Sequence, residues 1–206
     1  MHTLNVTVTP DAFTDKVAES FDYQFTGTSI FTLPDYLRPT DPFGIGVIVG
    51  SSGSGKTQIL RAHYGYTEPT VTWDPTRAIV SHFETPDLAL ERLFAVGLSS
   101  IPTLCRPYHV LSNGEQYRAN VARLLSDGAI FDEYTSVVNR ETAKSLSVAL
   151  SKYIRKKNIQ NVILSTCHRD IIEWLEPDWV FDCDGNIQYL NQSRTFLKRV
   201  ATLEIY

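Results

Sequence analysis

"GIGVIVGSSGSGKTQILRAHYG", residues 44 to 65, sets an apolar run against a glycine-serine turn and a helix-forming segment. GIGVIVG (44 to 50) suits a buried strand. KTQILRAHY suits a helix, and Gly65 stands where a glycine cap would close it. Between them Gly50, Ser51, Ser52, Gly53, Ser54, Gly55, Lys56 and Thr57 fit the pattern GxxxxGK[ST] in the strand-turn-helix context that gives it meaning. Such glycines let the backbone wrap close to a phosphate, with N–H groups pointing inward at the positive end of a helix. Lys56 then reaches β- and γ-phosphate oxygens, and the Thr57 hydroxyl suits Mg²⁺. A flexible serine-glycine turn that merely precedes a lysine would leave the flanking strand and helix as coincidence. The stretch implies a nucleoside triphosphate site.

Composition narrows the remaining classes. The chain has 206 residues, 43% hydrophobic and 20% charged, which is ordinary for a globular protein. With 19 basic against 23 acidic side chains the net charge is −4, so no global positive field favours nucleic acid or anionic lipid. Cys105, Cys167 and Cys183 are scattered and odd in number, which predicts reduced, mostly buried thiols rather than a zinc or disulfide framework. No apolar run approaches the roughly 18 residues of a membrane span. The opening MHTLNVTVTPDAF lacks a charged-then-apolar signal pattern. The expectation is a cytoplasmic protein without direct membrane insertion, a single domain over residues 1 to 206 with its core at about 20 to 190.

Strand and helix patterns alternate along the rest. RAIVSHF (77 to 83), GAIFDEY (128 to 134) and NVILSTCH (161 to 168) read as strands. Between the last two, RETAKSLSVALSKYIRKKN repeats Leu146, Leu150, Tyr153 and Ile154 at helical spacing and ends in Arg155, Lys156 and Lys157. WVFDCDGNIQYL (179 to 190) predicts a hairpin turning at Asp184-Gly185. The first 40 residues, rich in Thr, Phe and Pro, predict short antiparallel strands. The fold class expected is α/β, a P-loop NTPase with a mostly parallel sheet.

Two further motifs fit that frame. A strand ending in AIFDEY places Asp132 at the carboxyl edge of the sheet, where it can hold a Mg²⁺ water shell opposite Thr57. Glu133 would lie one residue nearer the γ-phosphate, placed to orient an attacking water. Alone, the pair would read as a solvated acidic turn; beside a P-loop that becomes the minor reading. LSNGEQYRAN (111 to 120) joins a polar, glycine-bearing turn to a helix start, again a geometry suited to an anion.

Taken in order, GSSGSGKT, LSNGEQYR, FDEYTSVVN and STCHRD resemble the ATP-binding-cassette ATPases over most of residues 20 to 190. LSNGEQYRANVAR is similar to that family's signature loop, usually LSGGQxQRxxxAR. The resemblance implies an ATP-dependent head-to-tail homodimer in which Ser112 and Gly114 contact the γ-phosphate bound by the other subunit. It also implies Asp132 as the metal-site aspartate, Glu133 as the catalytic glutamate and His168 as the γ-phosphate switch histidine. Asn139 in SVVN stands where the family carries an aspartate. His82 stands near the family's Q-loop glutamine, and a metal or water contact and a plain loop histidine are both open there. Tyr23 or Phe25 would supply the ring that stacks on adenine, with Tyr23 carried as the candidate.

Only 29 positions separate His82 from Leu111, so the family's helical subdomain is much reduced. ETPDLALERLFAVGL offers one helix there, with Leu88, Leu90, Leu93 and Phe94 as apolar members. WDPTRAIVSHF, RPYHVLSNGEQYRA and the closing LEIY are most similar to the ATPase half of soluble bacterial and phage proteins that fuse such an ATPase to a GNAT-type acetyltransferase-like domain. The expected function is a Mg²⁺-dependent ATPase that drives a separate, acetyltransferase-like protein. Residues 193 to 206 would be its docking segment, or alternatively a final strand. A transporter's ATP-binding subunit is the alternative. A DNA-metabolism ATPase would use Lys152, Arg155, Lys156 and Lys157, which complementation of a helix dipole explains more cheaply.

Overall fold

The apolar run of the quoted stretch becomes β3 (Ile45–Val49), every residue of which is buried. β3 is the centre of a five-stranded sheet in the computed structural model, which describes residues 3 to 190. β4 (Ile130–Phe131) and β5 (Val162–Thr166) lie on one side of it, β6 (Trp179–Asp182) and β7 (Ile187–Leu190) on the other. The first four strands pair in parallel, and only β7 is antiparallel, closing the expected hairpin on β6. Parallel pairing brings the carboxyl ends of β3, β4 and β5 to one edge, where the loops that follow them carry the motifs.

Helices supply the crossovers. α2 (Lys56–Tyr64) follows β3 and ends at Gly65, whose φ of 64° is the left-handed cap expected. α6 (Arg140–Lys156) joins β4 to β5 and buries Leu146, Leu150 and Ile154, one stripe at four-residue spacing. Those side chains share a core with Val47, Leu164 and Val180 from three neighbouring strands. Asn139 caps α6, accepting from Thr142 N–H at 2.8 Å. At its other end Arg155 donates to the carbonyls of Leu175 (3.2 Å) and Glu176 (2.6 Å), closing α7 (Ile171–Leu175). Lys157 pairs with Glu91 at 2.6 Å. Two of the basic side chains considered for a DNA patch are therefore engaged within the chain.

The strand expected at residues 77 to 83 is absent; Ile79–His82 form a single 3₁₀ turn. The cause is an aromatic cluster that holds this segment on α5 (Asn113–Leu124). Trp73 stacks on Tyr108 with centroids 4.9 Å apart, lies under the Arg123 guanidinium at 4.7 Å, and donates its indole N–H to Asn120 at 2.8 Å. The strand expected at 128 to 134 shrinks to two residues because Gly128, Glu133 and Thr135 all take positive φ. The reduced insert holds α3 (Pro86–Ala95) and a further short helix, α4 (Ile101–Leu104). Leu93 of α3 is buried, whereas Leu90 and Phe94 are exposed. The thiols also depart from expectation: Cys105 and Cys167 are exposed and Cys183 alone is buried. Cys105 caps the end of α4 and Cys167 follows β5, and both positions lie at the surface.

Residues up to Tyr36 form a separate compact unit. Its strands β1 (Thr3–Thr7) and β2 (Thr28–Thr32) are antiparallel, as expected. Between them lies α1 (Ala12–Ser20), which the strand-rich reading missed although Asp11 and Thr14 form a capping box at its start. Among the described residues no helix is long and apolar enough to cross a membrane. Residues 193 to 206, expected as a docking segment or final strand, lie outside the described residues.

Gly46 pairs with Trp179 across β3 and β6, and a Cβ there would come within 2.1 Å of the indole ring. Gly46→Ala should therefore lower the urea-unfolding free energy by about 1–3 kcal/mol, the usual cost of overpacking a core. Trp fluorescence during urea titration reads it.

Candidate functional site

The N-terminus of α2 has no side-chain cap: its N-cap is Gly55, with φ 95°, so the first-turn N–H groups face outward without a side-chain acceptor. A helix start of this kind favours an anion. Lys56 is buried, and its ammonium donates to the carbonyls of Gly50 at 2.9 Å and Ser51 at 2.8 Å, spanning the mouth of the loop. The expected P-loop residues Ser51, Ser52 and Gly53 are exposed, and Ser54 is half-buried. This cradle fits a polyphosphate, and its lysine is already aimed across it.

Asp132 joins three elements. The Thr57 hydroxyl on α2 donates to its Oδ2 at 2.6 Å. The Ser165 hydroxyl on β5 donates to its Oδ1, which also accepts the Glu133 N–H at 3.0 Å. Thr57 and Asp132 thus stand together as hard oxygen donors, the chemistry Mg²⁺ selects. Glu133 is exposed at φ 51° and begins a turn. His168, two residues past β5 and half-buried, donates its backbone N–H to the Thr166 hydroxyl at 3.1 Å. Beside Asp132, a cavity of about 160 Å³ is lined by Tyr66, Glu68, Tyr117 and Asn120 among others. Burial there, and then the Asp132 charge, raise the Tyr66 phenol pKa.

Ser112 heads α5 and gives both its N–H (3.0 Å) and its hydroxyl proton (2.8 Å) to Glu115. Those bonds hold the Glu115 carboxyl below its usual range. Arg118 secures the same loop by donating to the carbonyls of Gly114 (3.1 Å) and Gly97 (2.8 Å). Among the described residues no hydrogen bond joins Ser112 or Gly114 to the P-loop of the same chain. The open question at His82 has a geometric answer: Nε2 accepts the Asp74 N–H at 3.0 Å and Nδ1 meets the Ala78 carbonyl at 2.9 Å. Both ring nitrogens thus have partners within the loop. Tyr23, the adenine-stacking candidate, is exposed in the N-terminal unit just after α1.

Sequence reasoning missed a charged latch behind the P-loop. Asp184, read only as a turn residue, accepts the Ser51 N–H at 2.9 Å and the Ser51 hydroxyl at 2.8 Å. Arg169, which follows His168, forks onto Asp182 and onto Asp184, the latter at 2.8 Å. The signal was present in STCHRD, but an arginine next to a recognised histidine carries no partner in sequence. Ser165 and Tyr117 were likewise missed, because a strand serine and a helix tyrosine read as core.

No family model matches the sequence, and no curated protein does. Solved structures do match. The dimeric structure of MJ0796, described as a bacterial ABC transporter cassette, aligns at TM-score 0.54 and 17% identity over 72% of this chain and 86% of that one. The MJ0796 cassette in a post-hydrolysis state with ADP and Pi aligns at 0.52 and 16% over 71% and 84%. The cbiO1 protein from Clostridium perfringens, part of the ABC transporter complex cbiONQ, aligns at 0.54 and 17% over 79% and 83%. The fold is that of an ATP-binding cassette. Within a cassette of this form, the Thr57–Asp132–Ser165 cluster lies where β4 and β5 end, and the latch ties the P-loop to the loop of His168.

The latch makes a pH prediction. The Arg169 hydrogen bond chiefly lowers the Asp182 carboxyl, and the Ser51 hydroxyl chiefly lowers that of Asp184. Their folded values lie below the unfolded carboxylate value of about 4, so the unfolded chain takes up protons first as the pH falls. The stabilisation is complete above about pH 5 and is lost as the pH drops through the depressed folded values. Melting temperatures from pH 7 to pH 3 should fall less steeply on the acid side in Asp184→Asn than in wild type.

Proposed function

We propose that this chain is a Mg²⁺-dependent ATPase that pairs head to tail with a second copy and drives a partner protein. One observation carries the reading: the uncapped start of α2, with Lys56 across it, meets the Thr57–Asp132 pair beside an exposed Glu133. Lys56 would exchange the Gly50 and Ser51 carbonyls for β- and γ-phosphate oxygens, while the N–H groups of the loop cradle the β-phosphate. Thr57 would hold Mg²⁺ directly and Asp132 its water shell; the ion, once bound, neutralises charge that develops on the phosphoryl oxygens. Glu133 would orient and polarise the attacking water, and His168 would sense the γ-phosphate. Ser112 and Gly114, which make no hydrogen bond to their own P-loop, would complete the site of the other copy. That MJ0796 was solved as a dimer supports the pairing of two copies.

The partner reading rests on the short insert, where α3 and α4 stand in place of a large helical subdomain. The insert favours a soluble partner over a membrane one. That the partner is acetyltransferase-like rests on the resemblance of WDPTRAIVSHF and RPYHVLSNGEQYRA, with residues 193 to 206 as its docking segment or alternatively a final strand. The transporter-subunit reading draws support from the neighbours, which are described as transporter cassettes.

Glu133→Gln should bind ATP, accumulate as a dimer with Mg-ATP on size exclusion, and lose roughly 10²–10⁴-fold in turnover, the range for a lost general base. A monomeric variant that turns over normally would sink the assignment. Lys56→Ala should weaken ATP binding by roughly 10–100-fold, the worth of a hydrogen bond to a charged group. Ser112→Arg should leave monomer binding intact yet abolish hydrolysis. Mixed Lys56→Ala and Ser112→Arg chains should regain one intact composite site. Affinity capture with the Glu133→Gln protein decides the partner: repeated recovery of permease subunits and no soluble protein would replace the favoured reading with the transporter one.

A further inference from the structure

Glu133 and Thr135 flank a turn whose backbone is left-handed at both positions, φ 51° and 67°. For Thr135, β-branched and fully buried, this conformation is a genuine outlier that persists only when its surroundings impose it. Two of the bonds that impose it come from β5: the Tyr134 N–H donates to the Ser165 carbonyl at 2.7 Å, and the Thr166 hydroxyl donates to the Tyr134 carbonyl at 2.8 Å. Arg140 adds a longer contact to the Thr135 hydroxyl at 3.5 Å. Within the turn the Ser136 N–H donates to the Glu133 carbonyl at 3.0 Å, and one further bond comes from another element. The Thr135 N–H donates to the Tyr117 hydroxyl at 3.1 Å, and Tyr117 stands on α5, five residues along from the Ser112 that heads it.

The phenol is well suited to this task. Burial pushes the Tyr117 pKa well above its usual range, so the oxygen stays a neutral acceptor across physiological pH. Without it a buried backbone N–H loses its partner on a turn already in a sparsely populated conformation. The carboxylate of Glu133 projects from that turn, so a loosened turn is a loosened carboxylate.

We propose that Tyr117 is a positioning residue for Glu133: its hydroxyl fixes the turn that aims the carboxylate and ties that aim to the helix headed by Ser112. The proposal rests on the composite-site ATPase reading. In that arrangement the ATP held by one copy touches Ser112 of the other, and Tyr117 passes that contact on to the second copy's own Glu133.

Heterodimers separate this role from a merely structural one. Glu133→Gln on one chain leaves a single working site, built from the other chain's Glu133 and the first chain's Ser112. Tyr117→Phe on the chain with intact Glu133 should lower kcat about 5–20-fold with KM for ATP within about twofold, the pattern of a lost transition-state interaction. Tyr117→Phe on the Glu133→Gln chain should add less than a twofold loss. The reverse pattern, or equal losses from both placements, would overturn the proposal by assigning Tyr117 to its own signature loop. Thr135→Gly supplies a comparison that survives a folding failure of the single variant, since glycine adopts positive φ without support. On that background Tyr117→Phe should change kcat less than threefold; a loss as large as the 5–20-fold expected above would also overturn it. Wild-type protein that binds and hydrolyses no ATP would remove the ATPase reading and this proposal together, whereas active wild type with the reversed pattern removes this proposal alone.

Discussion

Asp132 leaves the sheet at the end of β4 and at once accepts hydrogen bonds from three directions, from Thr57 on α2, Ser165 on β5 and the next backbone N–H. A carboxylate so placed fixes relative positions that no single element sets. The P-loop helix is held to the strand that follows α5, and that strand is held to the one preceding His168. The arrangement needs a parallel sheet, because only parallel neighbours end their strands at one edge. Much of the rest of the core, from Gly46 under Trp179 to the Leu146–Leu150–Ile154 stripe, keeps β3, β5 and β6 in the register that makes the meeting possible. The short β4 is enough, since its task is to deliver one side chain.

A cassette with so small an insert keeps its shape by other means. Where a strand was expected at 77 to 83, Trp73, Tyr108, Arg123 and Asn120 form a stacked and hydrogen-bonded cluster on α5. His82 contributes to it by packing edge-on against Trp73 at 4.9 Å and by closing its own loop. The helix headed by Ser112 is thus held both by the aromatic cluster and by the Tyr117–Thr135 bond.

Elements with a local signature were legible in the sequence: β3 with its glycine turn, α2 with Gly65, the amphipathic α6 and the β6–β7 hairpin. Of the site residues that motif spacing singled out, Lys56, Thr57, Asp132, Glu133 and His168, the structure brings Thr57 and Asp132 into direct contact. What failed were features decided by distant partners. AIVSHF has strand composition, but Trp73 and α5 take the segment for a cluster, a tertiary override of propensity. Asp184 and Arg169 are separated in sequence by a helix and a strand, so their latch on Ser51 has no local trace. The exposed Cys105 and Cys167 belong to the same class, since loop placement rather than residue type decides their burial. α1 was a different failure, a capped helix start at Asp11 overlooked among threonines and phenylalanines.

Lys56 carries a consequence of its own. Its ammonium is buried yet already satisfied by the two carbonyls of Gly50 and Ser51, so the loop brings its own stand-in for the ligand. Entry of a phosphate would then be an exchange of acceptors around a cation that the loop already holds in place. Selectivity follows from that exchange. A neutral visitor would offer no better acceptor than the carbonyls it must displace, whereas anionic oxygens accept charge-assisted bonds about twice as strong. The loop would in this sense guard itself, closed to neutral ligands by bonds that a polyphosphate can displace.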